Sequence, residues 1–368
     1  MEPVRVLHMI GNLGIGGSQV LVINLLRAID RSKVQFDFIV DRPESDELAA
    51  AVRELGSRIY SVPTFVGHNI REVQKAWNQF FLEHPEYKIL HSHVRSYASI
   101  YLPIAKKHGL KTIIHSHSTS NGKGLVSAVK KVLQYPLRYQ ADYFFSCSEE
   151  AGKWLFGNKI VKCDRHYLLR NAVDAKAYLF NEETRQSYRQ ALAIGENDTV
   201  YSHVGRLHPS KNHTFLLNVF KKIHTRNPDT KLLLIGDGEL RQQIEQQIAE
   251  LSIHDAILLL GSRQDIPQLL QAADFFLFPS LWEGLGLAAI EAQAAGLGCI
   301  CSDQVPPLVK VTENCHFLPL DEEQWVTAAL NAPKDRVVAY EQIQQAGYDI
   351  YAAAQWLAAF YEDLWQKA

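Results

Sequence analysis

Two glutamates lie in an apolar part of the sequence, where a carboxylate needs an explanation. The stretch SLWEGLGLAAIEAQAAGLG at 280–298 predicts a buried helix, with Glu283 just before it and Glu291 inside it. Burying a charge without a partner is costly, so such a helix indicates a bound ligand. The alternative is an internal ion pair between Glu291 and a distant Arg or Lys.

The same stretch combines three features that would suit one ligand. Gly284 and Gly286 allow a ligand to approach the backbone, and a helix N-terminus offers free N–H groups to a phosphate. Carboxylates accept hydrogen bonds from sugar hydroxyls. The combination predicts a site for a nucleoside diphosphate sugar, with Glu291 and Glu283 meeting hydroxyls at its two ends.

Two cations in a second loop extend this hypothesis. In VGRLHPSKN, Arg206 and Lys211 follow a predicted strand and precede a predicted helix. Cations in such a loop would neutralise the charge that grows on a departing diphosphate. An exposed Arg and Lys in a loop are weak evidence for a site by themselves. The two glutamates in the same half of the chain strengthen the interpretation.

The elements that must position these residues alternate along the chain. Apolar runs without helical period, separated by amphipathic segments, predict parallel sheets covered by helices on both faces. The runs lie at 4–10, 36–40, 88–94, 112–117 and 143–148, and again at 199–207, 231–238, 256–262, 274–280 and 298–303. Polar or glycine-rich loops follow several of them, at the ends where doubly wound sheets bind ligands.

The repeated pattern predicts an α/β protein with two domains of one class, and a length of 368 residues also favours about two. We expect a Rossmann-like domain over 1–175, a second over 176–347 and a final helix over 348–368. The final helix should pack back toward the N-terminal domain.

Composition excludes several classes of protein. The formal net charge of −2 gives the whole chain no basic character for nucleic acid. The five cysteines include no CxxC pair, which favours reduced thiols in the cytoplasm over disulfides or a zinc site. No window holds the roughly 18 apolar residues of a membrane span, and the N-terminus does not read as a secretory signal. We therefore expect a soluble, cytoplasmic protein.

Four segments of the second half resemble a known family. They look like the donor-binding half of family four glycosyltransferases, whose GT-B fold has two Rossmann-like domains facing a central cleft. The segments are GRLHPSKN, LLLIGDGELR, LLGSRQDIPQLLQAADFFLFPS and WEGLGLAAIEAQAAGLGCICSD. The family's hallmark is a Glu followed by seven residues and a second Glu, and the surroundings most resemble bacterial capsular and exopolysaccharide enzymes. The likeness covers essentially the whole chain and is strongest over 200–303.

The resemblance implies a role for each matching residue. Arg206 and Lys211 would bind the donor diphosphate, Glu291 the ribose hydroxyls and Glu283 the transferred sugar. The backbone beside Glu283 would help to hold that sugar, through Gly284, Leu285, Gly286 and Leu287. The loop from Gly261 to Asp265, which includes Arg263, would lie near the nucleobase. Gly298 departs from the family's pattern, because relatives often have Pro after the helix.

The N-terminal half offers two further candidates by resemblance. GNLGIGGSQ is similar to the family's first glycine loop, which closes over diphosphate and acceptor and would place Gly16 and Gly17 at the donor. His117 matches the position of a cleft histidine that contacts the transferred sugar. A core or loop histidine with a backbone partner is the alternative. The glycines could also begin a dinucleotide fingerprint, but Gln19 stands where GxGxxG requires Gly.

Histidine pairs end two predicted strands, His91 with His93 and His115 with His117. A metal is disfavoured because the pairs lie on different strands, with no carboxylate or thiolate at ligand spacing. The sequence also has no Asp-x-Asp. With the two loop cations and a helix N-terminus to stabilise the leaving group, we expect the reaction to need neither a metal nor another cofactor.

The segment LVSAVKKVLQYPLRYQ at 125–140 predicts a basic amphipathic helix, with more lysines before it from Lys106 onward. Residues 106–138 would suit peripheral docking on the anionic inner face of a membrane, where a lipid-linked acceptor would be presented. A solvated face on an ordinary surface helix is the alternative.

These inferences combine into one function. We expect a retaining, metal-independent hexosyltransferase that moves a sugar from a nucleotide diphosphate donor, UDP-linked by analogy with relatives, to an acceptor hydroxyl in capsular, exopolysaccharide or other cell-surface glycan assembly. The donor should lie in the cleft, which should close on it. A nucleotide-sugar epimerase on the same fold and a non-catalytic nucleotide-sugar binder remain alternatives. A dinucleotide-dependent dehydrogenase is disfavoured by the broken fingerprint.

Overall fold

The computed structural model describes residues 2–14, 17–42, 48–118 and 125–368. The chain divides into two compact units. The first unit comprises Met1–Ala172 together with Ile350–Ala368, and the second comprises Val173–Asp349. Each contains one parallel β-sheet, of seven strands in the first unit and six in the second. The predicted class of two doubly wound α/β domains is confirmed.

The first unit is built on a sheet with the strand order β3-β2-β1-β4-β5-β6-β7. The strands are β1 (Val4–Met9), β2 (Val34–Val40), β3 (Ile59–Ser61), β4 (Ile89–Ser92), β5 (Lys111–Ser116), β6 (Tyr143–Ser146) and β7 (His166–Leu168). The chain builds outward from β1 on one side and then returns to β4 on the other. The order therefore reverses between β1 and β4, which are neighbours. In such sheets, ligands bind outside the carboxyl ends of the strands at this point.

Helices cover this sheet, and one of them comes from the end of the chain. They are α1 (Gly17–Ala28), α2 (Ala49–Glu54), α3 (Ile70–Glu83), α4 (Ala98–Lys107), α5 (Leu125–Gln134), α6 (Leu137–Gln140), α7 (Glu149–Phe156) and α15 (Ile350–Gln366). Helix α15 buries Ala354, Leu357, Tyr361 and Leu364 in one core cluster with residues of α1, β1 and β2. Their spacing of three or four residues places them on one face of the helix.

The second unit repeats the design with the strand order β10-β9-β8-β11-β12-β13. Its strands are β8 (Thr199–Val204), β9 (Thr230–Ile235), β10 (Ile257–Gly261), β11 (Phe275–Phe278), β12 (Gly298–Ser302) and β13 (Cys315–Leu318). Its helices are α8 (Glu182–Ala191), α9 (His213–Arg226), α10 (Arg241–Glu250), α11 (Ile266–Ala272), α12 (Leu287–Ala294), α13 (Glu322–Asn331) and α14 (Tyr340–Gln345). Here the order reverses between β8 and β11.

The structure differs from the sequence-based expectations in two places. Every predicted apolar run overlaps a strand, but no predicted run marks β3, β7 or β13, which are edge strands of three or four residues. The segment 125–140 is not one helix. It forms α5 and α6 with a turn between them, because Pro136 has no N–H to donate and its ring would clash with a continuing helix.

Candidate active site

Most residues predicted for the donor site follow β8 and β11, the two strands between which the strand order of the second unit reverses. Arg206 and Lys211 lie in the loop after β8, and Glu283 lies in the loop after β11. The backbone joins these loops directly, since the N–H of Leu281 donates to the carbonyl of Ser210 at 2.8 Å. The sheet topology thus brings together residues that are far apart in sequence.

Lys211 and Glu283 form an ion pair, with 2.5 Å between Lys211 Nζ and Glu283 Oε1. Their side chains are only 17% and 12% exposed, so solvent screens the pair little. The Lys211 ammonium also lies 5.0 Å from the centroid of the Phe278 ring. Each charge therefore holds the other in place at the end of β11.

Close backbone contacts fix the path of the loop after β8. A Cβ at Gly236, in the loop after β9, would lie 2.0 Å from the carbonyl oxygen of Gly205. A Cβ at Gly238 would lie 2.5 Å from the carbonyl oxygen of Leu207. Only glycine allows one backbone to approach another this closely. The GDG sequence after β9 therefore supports the loop that carries the cations.

Arg206 is exposed at the surface and pairs with a different carboxylate from the one that Lys211 contacts. Its side chain is 71% exposed, and its Nη2 lies 3.2 Å from Oε2 of Glu239 in the loop after β9. Solvent screens such an exposed pair, so Arg206 can exchange partners easily. The sequence analysis did not identify Glu239, although GDGEL marked its loop.

Glu291 lies in α12, the helix that begins after the second of the predicted glycines. Gly286 precedes the helix with a φ of +97°, and a Cβ there would lie 3.1 Å from Phe278 Cε1 and 3.2 Å from Val309 Cγ2. Gly284, by contrast, has open space around it. The glycines of the loop thus have two roles, one in packing and one in leaving room beside Glu283.

The Glu291 side chain is partly buried and forms no ion pair with any described residue. Burial raises the pKa of its carboxyl group, and a hydrogen bond donated by the Tyr178 hydroxyl only partly opposes this shift. The ion pair weighed as an alternative is therefore absent from the part of the chain that the structure describes. Tyr178 was missed by the sequence analysis, because nothing in its own segment points to α12.

The loop after β10 holds Arg263 in a different pair. Its guanidinium donates to both carboxylate oxygens of Asp265, at 2.8 and 2.5 Å. The Tyr188 hydroxyl also donates to Asp265, at 3.0 Å. Gly261 ends β10, the edge strand two positions from β8. The carbonyl of Gly261 accepts from the N–H of Gly236 at 2.8 Å, so the end of β10 contacts the loop after β9, which in turn contacts the loop after β8.

In the first unit, the predicted histidine belongs to a cluster of five. His117 Nε2 lies 2.8 Å from His93 Nδ1, and His93 Nε2 lies 3.0 Å from His8 Nδ1. His91 and His115 stack against these rings, with centroid distances of 4.5 Å between His91 and His93 and 3.9 Å between His115 and His117. Burial lowers the pKa of all five, to about 3 for His8 and His117, so the rings are neutral at pH 7.

The glycine loop of the first unit is described only in part. Gly17 begins α1 and has no atom within 4 Å of where a Cβ would stand. Gly16 lies outside the described residues. Among the described helices, none has both the length and the apolar character needed to cross a bilayer.

Solved structures define the class of fold. The chain aligns with a structure titled Anabaena Alr3699/HepE in complex with UDP, with a TM-score of 0.77 and 17% identity, covering 98% of this chain and 100% of the other. It aligns with a glycosyltransferase from Rickettsia africae ESF-5 with a TM-score of 0.80 and 14% identity over the full length of both chains. This is the GT-B architecture.

Sequence comparisons identify the family. The family described as Glycosyltransferase Family 4 matches residues 15–177, and Glycosyl transferases group 1 matches residues 184–327. EpsF of Bacillus subtilis (strain 168), provisionally named a glycosyltransferase, is 31% identical over 363 residues, covering 94% of this chain and 93% of the relative. The UDP-Gal:alpha-D-GlcNAc-diphosphoundecaprenol alpha-1,3-galactosyltransferase of Escherichia coli is 27% identical over 282 residues, covering 73% and 72%. The chain belongs to the family 4 glycosyltransferases, as the resemblance implied, and is an enzyme of that class.

The raised pKa of Glu291 predicts an effect on stability. A carboxyl group whose pKa lies above its ordinary 4.5 in the folded protein binds a proton more readily there than in the unfolded chain. Stability is therefore lost as the pH rises through the raised pKa. Replacing Glu291 with Gln removes this penalty and keeps an oxygen that can accept from Tyr178. We expect Glu291→Gln to raise the unfolding midpoint at neutral pH, and the gain to vanish below pH 4.5.

Thermal unfolding at the two pH values measures the effect. Glu313→Gln is the control, because Glu313 lies in the same unit with its side chain 97% exposed. That variant should show no comparable gain. Equal midpoints for Glu291→Gln and the wild type at neutral pH would contradict the prediction.

Proposed function

We propose that this glycosyltransferase moves a hexose from a UDP-linked donor to a hydroxyl of a cell-surface glycan, such as a capsular polysaccharide or exopolysaccharide, with retention of configuration. The observation that carries the proposal is Glu291. It is a partly buried carboxylate with no ion-pair partner among the described residues, in the helix that follows β11. Ribose hydroxyls are donors that would satisfy it.

The Lys211–Glu283 pair supports a donor that carries both a diphosphate and a sugar. Separating two poorly exposed charges is costly unless each gains a new partner. A nucleotide sugar supplies both partners, because phosphate oxygens accept from Lys211 and a sugar hydroxyl donates to Glu283. Arg206, whose exposed side chain contacts Glu239, would add its charge to the diphosphate.

The same residues support retention of configuration and independence of divalent cations. We propose that the donor phosphate assists the incoming hydroxyl from the face that it leaves, so that no protein nucleophile is needed. Lys211 and Arg206 stabilise the leaving diphosphate in place of a metal ion. His117 contacts the transferred sugar, and its Nδ1 is buried without a hydrogen-bond partner among the described residues. The absence of Asp-x-Asp from the sequence supports this mechanism.

The names of two relatives support a lipid-linked acceptor as the second substrate. The Escherichia coli relative is named for a diphosphoundecaprenol-linked sugar, and so is an N-acetylgalactosaminyltransferase of Campylobacter jejuni that is 27% identical over 244 residues. We propose a similar acceptor here, with the protein acting in the cytoplasm at the inner face of the membrane.

An exposed apolar stripe on α5, α6 and the turn between them supports membrane contact. It consists of Val129, Val132, Tyr135 and Tyr139. Lys130, Lys131 and Arg138 flank it. Apolar side chains beside basic ones are typical of helices that lie on anionic membranes. Lys106 contributes less, because it is paired with Asp142 at 2.7 Å.

Donor binding is the first test. Calorimetric titration of UDP, GDP, ADP and NADH in buffer free of divalent cations should show binding of UDP. Glu291→Gln should weaken UDP binding by about 10- to 100-fold, because hydrogen bonds to a charged group contribute about 1.5–3 kcal/mol. Glu313→Gln should bind as the wild type does. No binding of UDP, or equal affinity in the Glu291 variant, would refute the donor site, and binding of NADH would favour a dehydrogenase.

Transfer is the second test. With a UDP-sugar and diphosphoundecaprenol-linked N-acetylglucosamine, Arg206→Ala should lower kcat by about 100-fold and change the donor KM little, since it removes charge stabilisation from the transition state. Arg226→Ala, which removes an exposed cation of the same unit, is the control. Adding Mg²⁺ or Mn²⁺ should not raise the wild-type rate. An epimerised donor formed without acceptor would indicate an epimerase, and binding without turnover would indicate a non-catalytic binder.

Membrane contact is the third test. The protein should sediment with phosphatidylglycerol vesicles more than with phosphatidylcholine vesicles, because each basic residue near an anionic surface contributes about 1 kcal/mol. Val132→Asp should reduce binding several-fold. Val338→Asp, at an exposed valine of the second unit, should not. Equal binding to both vesicle types, or no effect of Val132→Asp, would argue against the stripe.

A further inference from the structure

The sheet of the first unit brings five histidines from three neighbouring strands to one place. His8 in β1 is the register partner of His91 in β4. His93 follows β4, His115 lies in β5 and His117 follows it. From the sequence, a metal was disfavoured because the two histidine pairs lie on different strands and because no carboxylate or thiolate stands at ligand spacing. Parallel pairing of β1, β4 and β5 removes the first of these reasons.

Several ring nitrogens of this cluster are buried without a hydrogen-bond partner. Among the described residues these are His8 Nε2, His91 Nε2, both nitrogens of His115 and His117 Nδ1. His8, His91 and His115 are at most 1% exposed. Of these nitrogens, His91 Nε2 belongs to a ring whose other nitrogen already has a partner, so it is the nitrogen that a further group would satisfy.

We propose that His8, His91 and His93 bind one divalent transition-metal ion of the zinc type. One ring nitrogen from each of the three lies within 4.8 Å of the others. A ligand set made only of imidazoles favours Zn²⁺, Co²⁺, Ni²⁺ or Cu²⁺ over Mg²⁺ and Ca²⁺, which prefer oxygen. Three histidines with one open position form a known type of zinc site.

Two of the three histidines already have the supporting contacts that metal ligands require. His91 Nδ1 lies 2.5 Å from the Tyr361 hydroxyl, and His93 Nδ1 lies 2.8 Å from His117 Nε2. A partner on one ring nitrogen fixes the tautomer and leaves the other nitrogen for the ion. His93 Nε2 lies 3.0 Å from His8 Nδ1. Two ligands of a tetrahedral zinc are roughly 3.3 Å apart, so small ring movements would replace this hydrogen bond with the ion.

The contacts of His91 and His93 favour His8, His91 and His93 as the ligands over the second possible set, which is His93, His115 and His117. His117 uses its Nε2 to support His93, and its Nδ1 remains for another partner. His93 is partly exposed and lines a cavity of about 280 Å³ together with Gly11, Ser18 and Arg42. The cavity gives an ion a path to the cluster and space for a water as fourth ligand.

The ion would join β1, β4 and, through Tyr361, helix α15, and would stabilise the first unit. It has no part in the proposed binding of the donor diphosphate, and the inference does not depend on the proposed function. The experiment that tests it measures ion binding and not sugar transfer.

The test is a titration of the chelator-treated full-length protein with Co²⁺, followed by its visible d–d absorption, and with Zn²⁺, followed by the unfolding midpoint. One ion should bind per chain, and Zn²⁺ should raise the midpoint. His8→Gln and His93→Gln should each weaken Co²⁺ binding by at least about 100-fold, and Tyr361→Phe by about 10-fold, since supporting contacts contribute 10- to 100-fold. His115→Gln is the matched control, a buried histidine of the same cluster, and should still bind.

Three results would overturn the proposal. The first is a wild-type protein that binds neither Co²⁺ nor Zn²⁺. The second is unchanged binding in His8→Gln and His93→Gln, with folding checked by circular dichroism. The third is loss of binding in His115→Gln with retention in His8→Gln, which would assign the ion to the other triple. If the ligand variants fail to fold, the wild-type titration and Tyr361→Phe still decide the question.

Discussion

The ion pair between Lys211 and Glu283 is the contact on which the candidate site of the second unit depends. It joins the loops after β8 and β11 at the point where the strand order reverses. The neighbouring bond from Leu281 to Ser210 and the contact of Gly236 with Gly205 keep these loops in place. If the loops separated, two poorly exposed charges would lose their partners. The packing of the loops and the arrangement of the site therefore depend on the same contacts.

The sequence predicts the central strands well and the edge strands poorly. Central strands such as β9 and β11 are almost wholly buried, and the apolar runs LLLI and FFLF mark them in the sequence. The edge strand β7 has only three residues, none fully buried, so no apolar run marks it. The same limit applies to the segment 125–140, whose apolar spacing hides the break at Pro136. Short and exposed elements depend on neighbours that the local sequence does not show.

For the site, the sequence indicates which residue types follow which strand, but not which of them meet. Lys211 and Glu283 were both predicted, yet their pairing depends on β8 and β11 being neighbours. Arg206 was predicted as well, yet its contact with Glu239 depends on β8 and β9 being neighbours. His8 gave no signal within the apolar run of β1, and only the strand order places it beside His91. Glu291 was recognisable because one charge interrupted an apolar helix.

Helix α15 gives the first unit a discontinuous sequence, and this affects the order in which the chain can fold during synthesis. The second unit is contiguous from Val173 to Asp349, so all its residues have been translated before α15 is. The N-terminal sheet emerges from the ribosome earlier, but its core lacks Leu357 and His91 lacks the hydroxyl of Tyr361 until then. The usual vectorial order is thus inverted, since the first unit to be translated is the last to be completed. In the nascent chain, an apolar face of that sheet stays open for the time needed to translate the whole second unit.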